Sequence, residues 1–338
     1  MKTDFHPPMR PDMIACPNPA CGEQDRIGVH SHQERRYICH ACKKTFAETV
    51  GTPCYGLHYP LWVFVMVVTL LAYGCPIQAI VVAFGMDERT ATDWEQKVGQ
   101  HAKQVQESIV CQGKVDVGQV QADELYVKMQ GGKVWIATAM SVASRLFLWG
   151  AISTHRDTAL IQHVIEHVRA AAQVGKPILI AVDGFAAYVT TVLKVFRDPV
   201  WTGQRGRPRL VIWDDLHLVQ VVKHRAKRWV TEVQRRVVYG CEQAVQSIIV
   251  RTQGGTGMIN TAYVERLNAT LRGWIPALVR RTRTPARLVA HLEASMFWTG
   301  VVYNFCRVHT SLGVSPAMAA ELTDYVWSIE ELLFHRCT

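Results

Sequence analysis

The chain has 338 residues, of which 49% are apolar and 19% are charged. An apolar share of this size can build a sizeable core, which excludes a largely disordered protein. Lysine and arginine outnumber aspartate and glutamate by 37 to 28, and the net charge of +9 indicates an anionic partner, with nucleic acid ahead of an acidic membrane.

The N-terminal region is rich in cysteine. Residues 1–13 lack the apolar stretch of a secretory signal, so the sequence predicts a cytoplasmic location, in which cysteines serve metal binding or core packing rather than disulfides. Two short pairs supply four candidate ligands: Cys16 with Cys21, and Cys39 with Cys42. This spacing suits one tetrahedral Zn²⁺ and predicts a zinc ribbon over residues 10–50 that does not fold without metal. His30, His32 and His40 remain alternative ligands.

A long uncharged stretch follows and has to be weighed as a membrane span. Residues 61–73 are almost wholly apolar, but Gly74, Cys75 and Pro76 interrupt the stretch. The apolar run is about 13 residues long, whereas a spanning helix needs about 20. The sequence therefore predicts a buried helix and no membrane association.

Two further helices are predicted over residues 76–84 and from 87 to about 102, with Asp87 or Thr90 as the cap of the later one. A helix, a glycine-containing turn and a second helix are typical of a helix-turn-helix, which we expect over residues 57–105. Arg89 and Lys97 would then reach a DNA groove. Because this second helix is acidic for a DNA reader, a plain three-helix packing unit stays open.

The pattern changes to strands after residue 113. Residues 117–129, 133–142 and 145–152 are rich in β-formers and are separated by short turns, which predicts three antiparallel strands. A helix is expected over 157–173. Residues 177–182 then form a continuous apolar run typical of a strand buried on both faces. Together these elements predict an α/β fold for residues 115–320.

Three carboxylates stand out on this scaffold. Asp123 lies within the first strand, and Asp183 ends the buried strand, at the sheet edge where α/β proteins place their chemistry. If the two strands are neighbours, the carboxylates converge, and two Mg²⁺ ions about 4 Å apart would relieve their repulsion. Glu265 would complete the site. It is the only acidic residue between Glu242 and Glu293, although a simple salt bridge also accounts for it.

Basic residues surround Glu265 in the sequence and are candidates for contacts with the DNA backbone. They are Arg266, Arg272, Arg280, Arg281 and Arg283.

Four segments resemble bacterial insertion-sequence transposases of the DDE class. They are QADELYVKM (121–129), AVDGFAAY (181–188), YVERLNATLRGWIPALVRRTRTP (263–285) and YNFCRVHTSLGVSPAMA (303–319). A zinc ribbon followed by a helix-turn-helix is also an arrangement of one insertion-sequence group. The resemblance implies a ribonuclease-H-like core, with Asp123, Asp183 and Glu265 as catalytic ligands of two Mg²⁺ or Mn²⁺ ions.

The same resemblance implies binding of double-stranded DNA at terminal inverted repeats, 3′-end cleavage and strand transfer into target DNA. It further implies a homo-oligomer, at least a dimer on DNA, associated with the bacterial nucleoid. Rival functions are a zinc-ribbon regulator without catalysis and a ribonuclease-H-like nuclease.

Other acidic and basic residues are assigned lesser roles. Strand alternation should point Glu124 away from Asp123, and Asp214 with Asp215 should cap a helix. A basic insertion at about 200–240 is expected to contain a strand at 207–213 and a helix that contacts DNA or a partner subunit, or is simply solvated. Its basic residues are Lys223, Arg225, Lys227, Arg228, Arg235 and Arg236. Residues 321–338 should form a C-terminal helical tail.

Overall fold

A small three-stranded sheet holds the cysteine pairs in a computed structural model that describes residues 8–201, 203, 206–226, 229–253 and 257–337. Its strands are β1 (Ile27–Ser31), β2 (Arg36–Cys39) and β3 (Thr45–Ala47), in the order β1-β2-β3. Tyr37 and Phe46 pack against each other beside Cys16 and Cys39 in a separate small core. The β1–β2 hairpin therefore lies between the two cysteine pairs.

Three helices follow where the sequence predicts them. They are α1 (Leu61–Ala72), α2 (Ile77–Phe84) and α3 (Glu88–Val105). The Asp87 carboxylate accepts a hydrogen bond from the Arg89 amide at 2.7 Å, which confirms Asp87 as the cap of α3. No helix among the described residues has both the length and the apolar character to cross a membrane.

A larger mixed sheet occupies the rest of the chain. The strands from here on are β4 (Gln119–Met129), β5 (Gly132–Ser141), β6 (Phe147–Ser153), β7 (Ile178–Asp183), β8 (Arg197–Val200), β9 (Arg209–Ile212), β10 (Leu216–Ala226) and β11 (Trp229–Tyr239). Six of them form one sheet in the order β11-β10-β7-β4-β5-β6, while β8 pairs only with β9. β7 runs parallel to β4 and β10, and β4, β5 and β6 are antiparallel neighbours. This mixed α/β arrangement is consistent with a ribonuclease-H-like core.

Helices cover both faces of this sheet. They are α4 (Thr158–Ala171), α5 (Ala186–Val195), α6 (Glu242–Gln253), α7 (Ala262–Trp274), α8 (Val289–Phe305), α9 (Pro316–Ala319) and α10 (Ile329–Phe334). α4 packs on β5 and β6 with α5 beside it, whereas α6 and α7 lie over β4. Because β7 is covered on both sides, its five residues before Asp183 are all buried, as the apolar run predicts.

The helical module and the sheet share one apolar core. α3 packs along α8 so closely that a Cβ on Gly99 would lie 2.4 Å from the Ala294 Cα. The Trp298 indole, buried in α8, donates a hydrogen bond to the Val68 carbonyl oxygen of α1 at 2.7 Å. The three N-terminal helices are thereby held against the element that supports the sheet.

The expectation of a helix in the basic insertion is wrong. β10 and β11 form a long antiparallel hairpin there, and Lys227 and Arg228 lie outside the described residues. The physical reason is the richness of both strands in valine, a β-branched residue that favours strands over helices. The strand expected at 207–213 is present as β9.

Asp214 and Asp215 do not cap a helix, contrary to the sequence expectation. They lie in the turn between β9 and β10, both exposed, and a strand follows them instead. The Asp215 carbonyl oxygen accepts a hydrogen bond from the Ile178 amide at 3.0 Å, so this turn is attached to the start of β7.

Candidate active site

Two of the predicted carboxylates meet at the carboxyl edge of the large sheet. β4 and β7 are parallel neighbours, and their pairing ends at Gln121 opposite Ala181. Asp123 and Asp183 follow this last pair, each two residues further on. One carboxylate oxygen from each lies within 4.8 Å of the other, as expected for adjacent strands.

Asp123 is held by α7. The Asn268 side-chain amide donates a hydrogen bond to Asp123 Oδ2 at 3.0 Å. Burial raises the pKa of Asp123, and the negative charges of Asp183 and Glu265 add to this, while the Asn268 hydrogen bond lowers it. A carboxyl whose pKa is raised by its neighbours is one on which a bound cation would act strongly.

Glu124 belongs to the same group, and the expectation that it stays outside the site is wrong. Alternation does send it to the other face, where its side chain is 2% exposed and bonds Arg156 rather than Asn268. One of its oxygens nevertheless lies within 4.8 Å of those of Asp123 and Asp183. The reason is that the β4–β7 pairing has already ended, so side chains from both faces approach each other at this edge.

Arg156 bridges two of the acids. Its Nη2 lies 2.7 Å from Glu124 Oε2 and 3.2 Å from Asp183 Oδ2. The guanidinium also lies over the Phe185 ring at 4.2 Å and near the Trp135 ring at 5.4 Å, two contacts of the cation–π kind. Arg156 therefore has a defined place next to the carboxylates.

Glu265 lines the same cavity, but its carboxylate is more exposed and lies outside the close group formed by the other acids. Its side chain is 49% exposed, and Oε1 accepts hydrogen bonds from Lys223 Nζ at 2.7 Å and from the Thr261 hydroxyl at 3.1 Å. It is not in the group whose oxygens lie within 4.8 Å of one another. Glu265 thus forms a salt bridge and also lines the cavity, and its role as a metal ligand stays a prediction.

The site is a cavity of about 530 Å³ whose charged lining has three acids and two bases. Its charged residues are Asp123, Asp183, Glu265, Arg156 and Lys223. Beside it, Glu124 Oε1 is buried without a hydrogen-bond partner at normal distance among the described residues, although the Tyr188 hydroxyl lies nearby. Carboxylate oxygens are the ligands that Mg²⁺ and Mn²⁺ prefer, so the residues present fit a divalent cation of this kind.

The four predicted cysteines also converge. Cys16 and Cys42 sulfurs are 3.6 Å apart, and those of Cys21 and Cys39 are 3.8 Å apart. A tetrahedral zinc site with Zn–S bonds of about 2.3 Å would place its sulfurs about 3.8 Å apart. The Lys44 amide lowers the pKa of the Cys42 thiol to about 6, while burial raises that of Cys16 to about 12. The set fits one tetrahedral metal ion, and His40 is exposed.

The predicted DNA-contacting residues do not lie together. Arg89, at the start of α3, and Arg283 line the same groove of about 1180 Å³, whereas Lys97 lines a different, smaller cavity. Arg266 is exposed on α7, one residue after Glu265. Arg272 is half-buried, and burial followed by the charge of Arg280 lowers its pKa. Arg280 and Arg281 are exposed beyond the end of α7.

Arg156 and Asn268 at the site were missed by the sequence analysis, which named Lys223 only as a basic residue of the insertion. Arg156 follows β6, which runs parallel to β4, so its position at the carboxyl end of a strand was a usable signal. Asn268 lies three residues after Glu265 and therefore on a neighbouring part of the same helix face. Lys223 carried no signal, because its segment was expected to be helical.

No family model and no curated protein sequence matches the chain. A cryo-EM structure of piggyBac transposase, in a synaptic complex with hairpin DNA, is similar over 81% of this chain and 69% of that chain. The TM-score is 0.36 and the sequence identity is 10%, so the two chains are only distantly alike.

Proposed function

We propose that the chain is a metal-dependent DNA transposase of the DDE class. The observation that carries this proposal is that Asp123, Asp183 and Glu265, which lie far apart in the sequence, line one cavity at the carboxyl edge of a mixed sheet. Three acids beside a strongly basic chain are suited to divalent cations and a phosphodiester substrate.

The three carboxylates would hold the cations, with Glu124 close enough to take part. When bound, the cations would activate the attacking oxygen and stabilise charge on the leaving oxygen in an in-line displacement. Lys223 and Arg156 would then lie beside the scissile phosphate, since they line the same cavity. The same site would first cut the element end and then join its 3′-OH to target DNA.

The remaining basic residues would hold the DNA. The cysteine module with one Zn²⁺, and α2 with α3 as a helix-turn-helix presenting Arg89 and Lys97, would bind the inverted repeats. Lys223 and Arg235 lie on the α7 side of the β10–β11 hairpin, because Arg235 bonds the Ile259 carbonyl oxygen and Lys223 bonds Glu265. The hairpin would thus extend the DNA surface away from the carboxylates. Two ends must be held together, which requires at least a dimer on an insertion-sequence element.

A strand-transfer assay tests the proposal. The full chain is incubated with labelled DNA ends, a target plasmid and Mg²⁺ or Mn²⁺, with the DNA that flanks the gene as the source of ends. We expect metal-dependent cutting and joined product. Cutting without joining would favour a nuclease, and binding without either would favour a regulator; both outcomes overturn the proposal.

A further inference from the structure

The start of α7, the helix that carries Glu265, is held from the neighbouring strand. Its N-cap residue, Thr261, makes no side-chain cap hydrogen bond. Instead, Gln121 of β4 accepts hydrogen bonds from the Tyr263 amide at 2.9 Å and the Val264 amide at 3.0 Å through the same oxygen. The first amides of a helix have no partner within the helix, so Gln121 supplies what the local sequence does not.

Gln121 is fixed in this orientation by its other end. Its side-chain nitrogen donates to the Asn260 carbonyl oxygen at 2.8 Å, so the oxygen must face the helix. The Asn260 side-chain oxygen in turn accepts from the Ala262 amide at 3.0 Å. Gln121 is fully buried, and each of its polar atoms is hydrogen-bonded.

A second contact joins the same strand and helix one turn later. Asn268 donates to Asp123, and its oxygen accepts from the Thr138 hydroxyl of β5 at 2.7 Å. An ionised carboxylate can only accept, so the amide nitrogen has to face Asp123 and the oxygen has to face Thr138. Asn268 and Thr138 are buried at 1% and 0% exposure.

The two contacts match in spacing. Gln121 and Asp123 are two residues apart on one face of β4, a rise of about 6.6 Å. Val264 and Asn268 are four residues apart on α7, a rise of about 6 Å. A shift of the helix along the strand would leave buried polar groups without partners at both points, which apolar packing alone would not penalise in this way.

We propose that Gln121 and Asn268 are positioning residues that hold α7 in the one register in which Glu265 faces Asp123 and Asp183. This inference rests on the proposed function, because it concerns the placement of the third metal-binding carboxylate. Neither residue touches the substrate. Each acts through the helix or the carboxylate that it holds.

The test compares two substitutions of Gln121 in the full chain. Gln121→Met keeps the size but removes the acceptor, whereas Gln121→Glu keeps an acceptor for the two helix amides. Hydrogen exchange reports the protection of the Tyr263 and Val264 amides, and calorimetry reports Mn²⁺ affinity. We expect Gln121→Met to lose the protection and to weaken Mn²⁺ binding by about 10-fold or more, the effect typical of residues that orient metal ligands. Gln121→Glu keeps the acceptor for the two amides but loses the donor to the Asn260 carbonyl oxygen, so it should retain their protection better than Gln121→Met does.

Gln119→Met is the matched control. Gln119 lies on the same strand face but accepts hydrogen bonds from Thr252 and Gln253 of α6. Its replacement should therefore change neither the protection of the Tyr263 and Val264 amides nor the Mn²⁺ affinity. Should Gln121→Met not fold, Thr138→Val provides the second variant. It removes only the hydroxyl that orients Asn268, and it should weaken Mn²⁺ binding without loss of protection at Tyr263 and Val264.

Three outcomes overturn the inference, and they differ from one another. Unchanged amide protection in Gln121→Met would show that the Gln121 hydrogen bonds do not hold the start of α7. Lost protection with unchanged Mn²⁺ affinity removes the positioning role, provided that Glu265→Gln weakens Mn²⁺ binding. If neither Glu265→Gln nor Asp123→Asn changes Mn²⁺ affinity, the metal site and the proposed function fail first, and the inference fails with them.

Discussion

The cysteine cluster and the carboxylate cluster are both candidate metal sites, but the protein builds them in different ways. The four cysteines are joined by a module whose own core contains little more than Ile14, Tyr37 and Phe46 besides the sulfurs. Asp123, Glu124 and Asp183 lie at one edge of the large sheet, beyond the last β4–β7 pair, and Arg156 and Lys223 already offset part of the negative charge of the site. We therefore expect the first site to need an ion in order to fold, whereas the second lies on a sheet whose apolar core folds without one.

The two sites differ in what the free energy of metal binding would stabilise. In the small module, binding energy is folding energy, because no other interaction is large enough to hold the strands together. At the sheet edge, the apolar core supplies the folding energy, and the cation competes with side chains that are already in place. The following predictions test this contrast, from the largest expected effect to the smallest.

Removal of zinc should unfold the cysteine module and leave the sheet intact. Structural zinc contributes about 10 kcal/mol or more to such modules, so a strong chelator or Cys39→Ser should abolish amide protection in β1–β3. Hydrogen exchange measures this, while the melting of the large sheet is followed by circular dichroism. Cys241→Ser, an exposed cysteine outside the cluster, is the control. Simultaneous melting of β4–β7 would show that the two regions are one folding unit.

Loss of a carboxylate at the sheet edge should have the reverse effect. Asp183→Asn keeps the size of the side chain but removes charge that would offset the cations. The several kcal/mol that bound metal gives to the transition state correspond to a loss of roughly 1000-fold in cleavage and joining. Binding of DNA ends should persist or tighten, because a negative charge facing phosphate is gone. The melting temperature should hardly change.

The matched control is Asp116→Asn, an acid outside the cavity that pairs with Arg251. Glu265→Gln should behave like Asp183→Asn, and the double variant should lose little more than either single one, because the acids act as a unit. Near-normal cutting by a folded Glu265→Gln protein would leave Glu265 as a surface salt bridge.

The basic residues beyond α7 should affect binding rather than chemistry. Replacing Arg280, Arg281 and Arg283 together by alanine should flatten the salt dependence of DNA affinity by up to about 0.9 unit per lost phosphate contact. Affinity is measured against salt concentration by fluorescence anisotropy. Replacement of Lys114 and Lys176, exposed residues that precede β4 and β7, serves as control. An unchanged slope in the triple variant would place the DNA on another surface.

Acidic pH should destabilise the C-terminal helix α10 through protonation of His335, which belongs to neither cluster. Burial, together with the charge of His101, lowers the pKa of His335 to about 4, whereas an unperturbed histidine titrates near about 6.5. The unfolded segment therefore binds the proton first. The stability of this contact is complete above about pH 6.5 and is lost progressively as the pH falls toward about 4.

Hydrogen exchange of α10 between neutral and acidic pH measures this effect. His335→Gln should remove most of the pH dependence while the zinc content stays the same. Protection of α10 that does not vary with pH would contradict the prediction, and pH dependence that persists in His335→Gln would assign the titration to another group, such as His101 beside Leu332.

Much of the chain could be predicted because its signals are local. The alternation in β4 and β5, the apolar run of β7 and the cap at Asp87 each depend on a few neighbouring residues. The same kind of local reasoning is wrong for β10 and β11, where the run of basic residues predicts a helix although both strands are rich in the β-branched residue valine. It is also wrong for Glu124, because alternation along β4 does not keep the Glu124 and Asp183 carboxylates apart beyond the last β4–β7 pair.

The sequence by itself determined whether most elements are helices or strands. It also identified the four cysteines of the candidate zinc site and the three candidate acids, Asp123, Asp183 and Glu265, since spacing and side-chain chemistry are properties of short segments. Only the tertiary structure decided which basic side chains lie beside those acids. Arg156 reaches Asp183 across 27 residues of sequence, and Lys223 reaches Glu265 across 42. These contacts arise from the order and register of strands in the sheet, and strand order depends on the packing of the whole chain rather than on any local pattern.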